Sequence, residues 1–155
     1  MKIRRAKEKD LQQIKALLDQ VDLVHHNIRP DLFKVGRKYT DAEILKILQD
    51  EQRPVFAAVD ETDTLVGYAF CIFICHQGDN VLTDIKTLYL DDLCVDETRR
   101  GERIGKALYE HVTAFAKEQG CYNVTLNVWE KNDGAKKFYE SMGMQVQKTC
   151  METIL

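Results

Sequence analysis

The sequence predicts an α/β fold in which a mixed sheet carries helices on its faces. The spacing of apolar residues switches repeatedly between a helical and a strand period, and no linker, repeat or charge block interrupts the chain. The resulting order is βααβββαβαβ, which is typical of helices packed on a single sheet. With 155 residues, 45% of them apolar, the chain is long enough for one core, and we predict a single domain over residues 1–155.

The N-terminal third is predicted to form one strand and two helices. The strand covers residues 2–6, and Thr40 with Glu43 matches a capping box that begins the second helix, which stops near Pro54. The first helix ends before Pro30, and its apolar face comprises Leu11, Ile14, Leu17, Leu18 and Val21.

The middle of the chain is rich in strand-forming residues. Residues 55–60 and 65–76 flank a short polar turn, which is typical of an antiparallel hairpin. A further strand over residues 85–95 is expected to extend the same sheet.

The C-terminal third alternates between helix and strand. Residues 122–129 alternate apolar and polar side chains as a half-buried strand does, a short helix begins at Asn132 and stops at Gly143, and a last strand runs from Met144 onward. The third helix precedes them and ends at Gly120, and its apolar face comprises Ile104, Ala107, Leu108, His111, Val112 and Phe115.

Composition excludes several classes of protein. The net charge of -3 gives no basic excess for a nucleic-acid backbone. The longest apolar run, residues 68–75, is far shorter than the ~20 residues of a membrane-spanning helix, and residues 1–5 lack an apolar signal core. We therefore expect a cytoplasmic protein with neither a nucleic-acid nor a membrane partner.

The five cysteines point to reduced thiols rather than to a disulfide framework or a metal site. They are an odd number, scattered through apolar surroundings. Cys71 and Cys75 would share one face of a strand but lie too far apart to chelate one tetrahedral ion with His76. We expect no metal.

The segment between the fourth strand and the third helix has the residues of an anion-binding turn. Gly101 and Gly105 flank the start of a helix, where backbone N–H groups are unpaired. Spacing alone leaves two interpretations open: diphosphate binding, or a tight turn with solvated arginines. The sequence lacks the GxGxxG and GxxxxGK[ST] motifs, which disfavours NAD(P) and nucleoside triphosphates. Four cations lie in or beside the turn: Arg99, Arg100, Arg103 and Lys106.

Three segments fit one known pattern in their order and spacing. Residues 100–105 approximate an Arg/Gln-x-x-Gly-x-Gly/Ala loop, residues 90–95 form the strand before it, and residues 132–144 approximate NxxAxxFYxxxGF. In these features the sequence resembles the GCN5-related N-acetyltransferase (GNAT) superfamily. It departs at Arg103, where the family has glycine, and at Met144, where the family has an aromatic residue.

The resemblance implies a GNAT-like acyl-CoA N-acyltransferase fold with acetyl-CoA as cosubstrate. The central sheet is then mostly antiparallel, and its fourth and fifth strands splay apart. A backbone N–H near Leu93 would polarise the thioester carbonyl, and Tyr139 would protonate the leaving thiolate. The implied coenzyme contacts are Leu93, Cys94, Val95, Arg100, Gly101, Glu102, Arg103, Ile104, Gly105, Lys106, Asn132 and Tyr139.

The acceptor is expected to be a primary amine on a small molecule or a peptide, and it needs a base. Asp91 and Asp92 are the candidates, and alternation along a strand predicts that they face opposite sides. We favour Asp91, which would share a face with Leu93 and Val95; the alternative is that both are ordinary surface carboxylates. Cys94 alternates away from that face, which favours direct transfer in a ternary complex over an acetyl-cysteine intermediate.

Other functions remain open at this level. Arg103 in place of glycine would also suit a non-catalytic acyl-CoA-binding regulatory module. The helical stripes alone would suit a dimerising structural protein, and a homodimer is also compatible with the family resemblance. Four acidic residues could attract a cationic acceptor such as a polyamine: Asp22, Asp31, Asp79 and Asp84.

Overall fold

The computed structural model describes residues 1–155, and its centre is one five-stranded sheet. The first four strands are antiparallel neighbours in chain order, and the fifth lies parallel to the fourth. The predicted mixed, mostly antiparallel sheet is confirmed. The strands are β1 (Lys2–Arg5), β2 (Val55–Val59), β3 (Leu65–Cys75), β4 (Lys86–Val95) and β5 (Asn123–Thr125).

Four α-helices cover the two faces of this sheet, as the apolar stripes predict. They are α1 (Leu11–Ile28), α2 (Asp41–Leu48), α3 (Ile104–Glu118) and α4 (Asp133–Ser141), with short 3-10 turns at Glu8–Asp10 and Glu97–Arg99. Helices α1 and α2 close one apolar core against the sheet, and α3 closes a second core on the opposite face. None of these helices combines the length and the apolar character needed to cross a bilayer.

Local polar contacts begin α2 and hold the turn that precedes α1. The side chain of Thr40 accepts the N–H of Glu43 at 3.3 Å, and Glu43 Oε2 accepts the N–H of Thr40 at 2.8 Å, so the predicted capping box is present. Before α1, the buried Asp10 accepts two hydrogen bonds from the Arg4 guanidinium, at 2.7 and 2.9 Å. Burial alone would raise the pKa of Asp10, but these bonds outweigh it and lower that pKa.

The strands β4 and β5 stay together for only three residue pairs. Thr87, Leu88 and Tyr89 pair with Asn123, Val124 and Thr125, and no pairing follows. Beyond this point the backbone of residues 90–95 runs free of β5 along one edge. The predicted splay of these two strands is confirmed, and it leaves a gap between residues 90–95 and 126–129.

A β-bulge interrupts β4 beside this gap. Phe70 of β3 lies opposite Asp92, whereas the next residue, Cys71, lies opposite Leu90. Asp91 is therefore an extra residue on the bulged strand, and a bulge changes which face of the sheet the following side chains occupy.

The sequence overpredicts regular structure after α4. Residues 144–155, which we call the C-terminal tail, lie outside every strand, so the prediction of a last strand from Met144 is wrong for the single chain. The fifth strand is also shorter than the predicted 122–129. A strand needs a neighbour for its backbone hydrogen bonds, and local sequence does not say whether one is present.

Gly67 gives a test of how closely β3 and α3 pack. A Cβ atom at this position would lie 3.1 Å from the Cys94 carbonyl oxygen and 3.2 Å from side-chain atoms of Ile104 and Leu108. We expect Gly67→Val to lower the free energy of unfolding by about 1–3 kcal/mol, as overpacking does, in urea denaturation. The control is Gly36→Val, because a Cβ there meets nothing within 4 Å. Equal midpoints for both variants would contradict this packing.

Candidate functional site

The start of α3 presents a row of unpaired backbone N–H groups. The first backbone hydrogen bond of the helix runs from Ala107 N–H to Arg103 C=O at 3.0 Å, and the N–H groups of residues 100–106 donate to no other protein group. Gly101 turns the chain here with φ of 89°. N–H groups at a helix N-terminus, aided by the helix dipole, form a binding site for an anion.

Arg103 adopts the conformation that a glycine would take at its position. Its φ of 60° and ψ of 19° are left-handed, and it is the residue immediately before α3. A side chain in this region costs roughly 1–2 kcal/mol, so the turn keeps the glycine-like geometry at the expense of some strain. The Arg103 side chain is exposed.

Two of the four expected cations remain available to an anion at this turn. Arg99 is not one of them, because its guanidinium binds the Glu102 carboxylate at 2.6 and 2.8 Å. Lys106 lies 3.7 Å from Glu110 on the first turns of the helix. Arg100 and Arg103 are exposed and make no ion pair. We call residues 100–106 the anion turn.

The free edge of β4 points its backbone toward the gap. The Asp96 N–H donates to Val66 C=O, which fixes the alternation of the ladder: Cys94 and Asp92 bond to β3, whereas Leu93 directs its N–H and C=O away from β3. The Leu93 N–H therefore lies on the edge of β4 that is no longer paired with β5. This is the backbone position that the family resemblance assigns to the thioester carbonyl.

The side chain of Gln20 on α1 ties down the end of this strand. Its Nε2 donates to the Val95 carbonyl at 3.0 Å, and its Oε1 accepts the Glu97 N–H at 3.1 Å. The same amide lies 3.4 Å from the Cys94 sulfur. One residue thus joins α1 to the segment that leads into the anion turn.

The bulge places Asp91 and Asp92 on the same face of the sheet. Asp91 accepts a hydrogen bond from the Tyr39 hydroxyl, and Asp92 accepts one from Tyr68, and both tyrosines pack in the core beneath α1 and α2. The expectation that the two carboxylates face opposite sides is therefore wrong. Asp91 does not share a face with Leu93, which packs against the α3 core.

Asp92 is a poorly solvated carboxyl group with a single protein donor. Tyr68, which is fully buried, donates to Asp92 Oδ2 at 2.8 Å. Burial raises the pKa of Asp92 to about 6, and the nearby charges of Asp91 and Asp22 add to this, against the opposing effects of Tyr68 and Lys38. Its carboxyl group therefore titrates near neutral pH.

Asp91 is instead the centre of a polar network. The Lys38 ammonium binds both of its oxygens, at 3.0 and 2.9 Å, and the Tyr39 hydroxyl donates at 2.8 Å. Arg53 donates to the same hydroxyl at 3.1 Å and lies over the Tyr39 ring. The Asp91 carboxylate, which lies beside the gap, is thus already paired with the ammonium group of Lys38.

Tyr139 lies on α4 and packs against the α3 core. Burial raises the pKa of its hydroxyl far above the usual range, and the Asp92 carboxylate raises it further. The hydroxyl makes no hydrogen bond within the protein, so it is a protonated donor without an acceptor. Asn132, the other predicted coenzyme contact on this helix, caps α4 by accepting the Ala135 N–H at 3.2 Å.

Aromatic and acidic side chains surround the far side of the gap. Phe33 stacks on His25 and meets Trp129 edge-on, each with ring centroids 5.3 Å apart. Asp22 accepts the Lys38 N–H at 2.6 Å, and burial raises its pKa. Asp22 is thus the one of the four predicted acidic residues that lies near Asp92.

The other three acidic residues serve elsewhere. Asp31 binds the Arg29 guanidinium at 2.7 Å, and Asp79 accepts the N–H groups of Val81 and Leu82 in a turn. Asp84 lies in the exposed segment before β4 and supplies only its backbone carbonyl, to the Cys75 thiol.

All five cysteines are free thiols, and no group of three or more His, Cys, Asp or Glu side chains is placed to hold a metal ion. Cys94 is buried, its thiol lies 3.5 Å from the Leu17 carbonyl, and burial raises its pKa to about 12. A thiol with so high a pKa is a poor nucleophile at neutral pH.

Sequence reasoning missed the partners of the two carboxylates. Lys38, Tyr39 and Tyr68 carry no local motif, and they meet Asp91 and Asp92 across 24 to 53 positions of the chain. Only the strand register and the bulge bring them together. A polar tyrosine inside a strongly apolar strand, as at Tyr68, was the single available signal, because a buried hydroxyl needs a partner.

Comparison with known proteins gives a consistent result. The model of the acetyltransferase (GNAT) family matches residues 21–144. The chain is 28% identical to thialysine N-epsilon-acetyltransferase of Bos taurus over 139 residues, which are 88% of this chain and 74% of that protein. It is 37% identical to glucosamine 6-phosphate N-acetyltransferase of Arabidopsis thaliana over 112 residues, 72% of this chain and 65% of that protein.

A solved structure is also closely similar. The tetramutant of the BH1408 protein from Bacillus halodurans superposes with a TM-score of 0.95 at 33% identity, over 100% of both chains. The family match covers the anion turn, the splayed strands, the helices α2, α3 and α4, and the end of α1 from Val21. The chain belongs to the acetyltransferase (GNAT) family and is an N-acetyltransferase.

Proposed function

We propose that this protein transfers an acetyl group from acetyl-CoA to a primary amine by direct attack in a ternary complex. The observation that supports this most strongly is the row of unpaired N–H groups at residues 100–106, next to the gap between β4 and β5. Such a row can bind a diphosphate, and the gap admits the long amide-bearing arm of the coenzyme.

The chain's own residues suggest how the coenzyme is held. The anion turn binds the diphosphate through backbone N–H groups, with Arg100 and Arg103 as the available charges. The free backbone groups of Leu93 and the Val95 N–H, on the open edge of β4, pair with the amides of the arm. The Leu93 N–H then donates to the thioester carbonyl and stabilises the negative charge that develops on it. The coenzyme itself supplies the activated acetyl group.

Removal of a proton from the acceptor is assigned to Asp92. An alkyl ammonium group has a pKa of ~10.4, so almost all of it is protonated at neutral pH and cannot attack. A base with a pKa near the working pH is the most effective. The raised pKa of Asp92, about 6, supports this role, whereas Asp91 is already occupied by Lys38 and Tyr39.

Asp91 is then the residue that attracts and orients the acceptor. Its carboxylate accepts an ammonium group in the structure, that of Lys38, so it suits a cationic amine in the same place. We infer that the acceptor takes over this contact from Lys38 as it enters. The proposal of direct transfer does not depend on which of the two carboxylates acts as the base. No cysteine of low pKa lies at the gap to act as a nucleophile instead.

Tyr139 is assigned to the departing thiolate. A thiol has a pKa of ~8.5 and a tyrosine ~10, so full proton transfer is mildly unfavourable, but a hydrogen bond that strengthens as the charge develops is not. The Tyr139 hydroxyl has no hydrogen-bond partner, its raised pKa keeps it protonated, and it lies near enough to Asp92 to feel that charge, which supports this assignment.

The charges at the gap favour a cationic alkyl amine as acceptor. Asp22, Asp91 and Asp92 outnumber the two nearby cations, Lys38 and Arg53, which leaves the site negative. The matched relatives act on thialysine and on glucosamine 6-phosphate. Nearby Arg29 and Arg37 are paired with carboxylates, so little positive charge remains for a phosphate, and an acceptor of the thialysine kind fits better.

A non-catalytic acyl-CoA-binding module is the alternative. The sequence favoured this alternative because arginine replaces glycine at position 103. The structure removes that argument, because Arg103 keeps the left-handed backbone conformation that a glycine would adopt. The two functions separate in one experiment: incubation with acetyl-CoA and a panel of amines, with free thiol as the readout. We expect thiol release with lysine-like amines and polyamines. Saturable coenzyme binding without thiol release over the whole panel would leave only the binding module.

Replacement of Asp92 tests the base. We expect Asp92→Asn to lower kcat by about 10²–10⁴-fold, as loss of a positioned base does. The wild-type rate should rise with pH through about 6, because Asp92 must be ionised to accept a proton, and the variant should lose this dependence. Asp91→Asn is the matched control, and its main effect should be a raised KM for the amine. A kcat within threefold of wild type for Asp92→Asn would remove this residue from the mechanism.

Urea denaturation of the same Asp92→Asn variant separates a loss of catalysis from a loss of stability. Burial raises the pKa of Asp92 above its unfolded value, so the ionised carboxylate lowers the free energy of unfolding as the pH rises through about 6. At pH 8 the neutral Asp92→Asn protein should therefore be at least as stable as wild type in urea denaturation. A less stable variant would show that the carboxylate supports the fold at this pH.

Tyr139→Phe tests the acid. A hydrogen bond to a charged group contributes about 1.5–3 kcal/mol, so kcat should fall by roughly 10–100-fold. The dissociation constant of acetyl-CoA, measured by calorimetry, should not change, because the ring and its packing are kept. The matched control is Tyr109→Phe, a neighbouring tyrosine with ring centroids 6.3 Å apart. Equal rates in the two variants would contradict the assignment.

Arg100→Gln tests the anion turn. Arg100 has no partner within the protein, whereas the neighbouring Arg99 is bound to Glu102, so Arg99→Gln is the control. We expect about a tenfold weaker affinity for acetyl-CoA in Arg100→Gln, equivalent to about 1.4 kcal/mol, and little change in the control. Calorimetry at two salt concentrations should show the difference shrink as salt rises. Equal affinities would place the diphosphate elsewhere.

A further inference from the structure

Lys38 is a primary alkyl amine that the protein itself places beside the gap. Its ammonium group binds both oxygens of Asp91, at 3.0 and 2.9 Å. Burial raises the pKa of Asp92, the proposed base, and the Lys38 charge opposes that rise, so these two groups lie close together. A cationic alkyl amine is the class of acceptor that the charges at the gap favour. The chain thus holds an amine of its own where an external acceptor is expected to enter.

Two hydrogen bonds fix the backbone around Lys38. The Lys38 N–H donates to Asp22 at 2.6 Å, and the hydroxyl of the next residue, Tyr39, donates to Asp91 at 2.8 Å. The side chain is less restrained, because it is 39% exposed and its four-carbon stem is flexible. A fixed backbone with a flexible side chain keeps the amine near the two carboxylates without locking it onto one of them.

The proposed contact of the thioester is within reach of this amine. Asp91 and Leu93 lie two residues apart on β4, which is about 7 Å along a strand. To approach a carbonyl group held by the Leu93 N–H, the Lys38 ammonium has to leave Asp91 and pass Asp92. The residue that it passes is the one assigned to remove a proton from the acceptor.

We propose that the protein acetylates its own Lys38, within one chain, when acetyl-CoA is bound and no external amine is present. This inference rests on the proposed function, because it uses the same coenzyme and the same base. The Lys38 nitrogen attacks the thioester carbonyl carbon, a C–N bond forms and the C–S bond breaks. Two protons leave the nitrogen: one passes through Asp92 to solvent, and the other replaces the proton that Tyr139 donates to the thiolate.

Self-acetylation removes the internal partner of Asp91. The products are an acetylated lysine, the thiol form of the coenzyme and one proton. An acetylated lysine carries no charge, so it no longer forms the ion pair with Asp91. The modified chain therefore presents a free carboxylate to an external cationic amine, whereas the unmodified chain keeps that contact filled.

Uncatalysed acetylation would select a different lysine. Burial lowers the pKa of Lys38, but the hydrogen bond and the charge of Asp91 outweigh burial and raise that pKa. A lysine held as an ammonium group reacts slowly without a base, because only the neutral amine attacks. Lys34, in the same segment between α1 and α2, is exposed and serves as the internal comparison.

Peptide mass spectrometry of the wild-type protein gives the first test. The protein is incubated with acetyl-CoA and without any amine, and the acetylated fraction of each lysine is followed, each acetyl group adding about 42 Da. Lys38 should be acetylated roughly 10²-fold faster than Lys34, because a positioned base contributes at least that much. A Lys38 rate no higher than that of Lys34 would overturn the proposal.

Two matched variants locate the reactive amine. Lys38→Arg keeps a cation for Asp91 but has no amine to acetylate, so the intact chain should lose the fast gain in mass. Lys34→Arg should keep it. A fast gain in Lys38→Arg would place the modified lysine elsewhere and overturn the proposal.

Protein concentration separates transfer within a chain from transfer between chains. The rate constant for acetylation of Lys38 should not change when the wild-type protein is diluted at saturating acetyl-CoA. A rate constant that falls in proportion to the dilution would show that one chain modifies another, and would overturn the proposal.

The panel of external amines, run in parallel, separates this inference from the proposed function. Thiol release with an amine of the panel, without acetylation of Lys38 in its absence, would overturn this inference alone. No thiol release and no acetylated Lys38 would overturn both. A saturating amount of the best amine of the panel should suppress acetylation of Lys38, because both bind Asp91, and undiminished acetylation would contradict the placement of Lys38 at the acceptor contact.

Discussion

The early separation of β4 from β5 is the constraint on which the rest of the site depends. The start of β5 is fixed, because Tyr122 N–H bonds to Lys86 C=O at 2.8 Å and Cys121 N–H bonds to the end of α3 at 2.9 Å. Three residue pairs later the ladder stops. A continuous ladder would use the backbone of Leu93 for the sheet, and no edge would face the gap. Every contact assigned to the coenzyme arm follows from backbone groups that this sheet leaves unpaired.

The acidic side of the gap costs stability, and tyrosine and lysine groups offset part of that cost. Two adjacent carboxylates on one face repel each other and lose solvent. The Tyr68 hydroxyl meets one of them, and Lys38 with Tyr39 meets the other. The result is unequal: Asp91 is neutralised by an ion pair, whereas Asp92 keeps a raised pKa. Different environments for two neighbouring carboxylates allow one to bind charge and the other to exchange protons.

Local signals in the sequence predict most of the fold, and contacts between distant segments account for what they miss. The capping box at Thr40 and the apolar stripes of the four helices depend on residues a few positions apart, and they are confirmed. The anion turn belongs to the same class, since its glycines and its helix start are adjacent in the chain. The bulge at Asp91 depends on how β3 and β4 align, so simple alternation put Asp91 on the wrong face, that of Leu93. The prediction of a strand after Met144 is wrong for the same reason, because a strand forms only where a neighbouring strand pairs with it.

The side-chain amide of Gln20 connects helix α1 to the segment that precedes the anion turn. It bonds at once to the Val95 carbonyl and the Glu97 N–H, which precede the anion turn, while its backbone belongs to α1. About one and a half turns further along the same helix, His25 stacks on Phe33. If α1 rotated, the end of β4 would have to move with it, or both hydrogen bonds of the Gln20 amide would have to break. The position of α1 beside Phe33 and the position of the anion turn are therefore coupled in this protein.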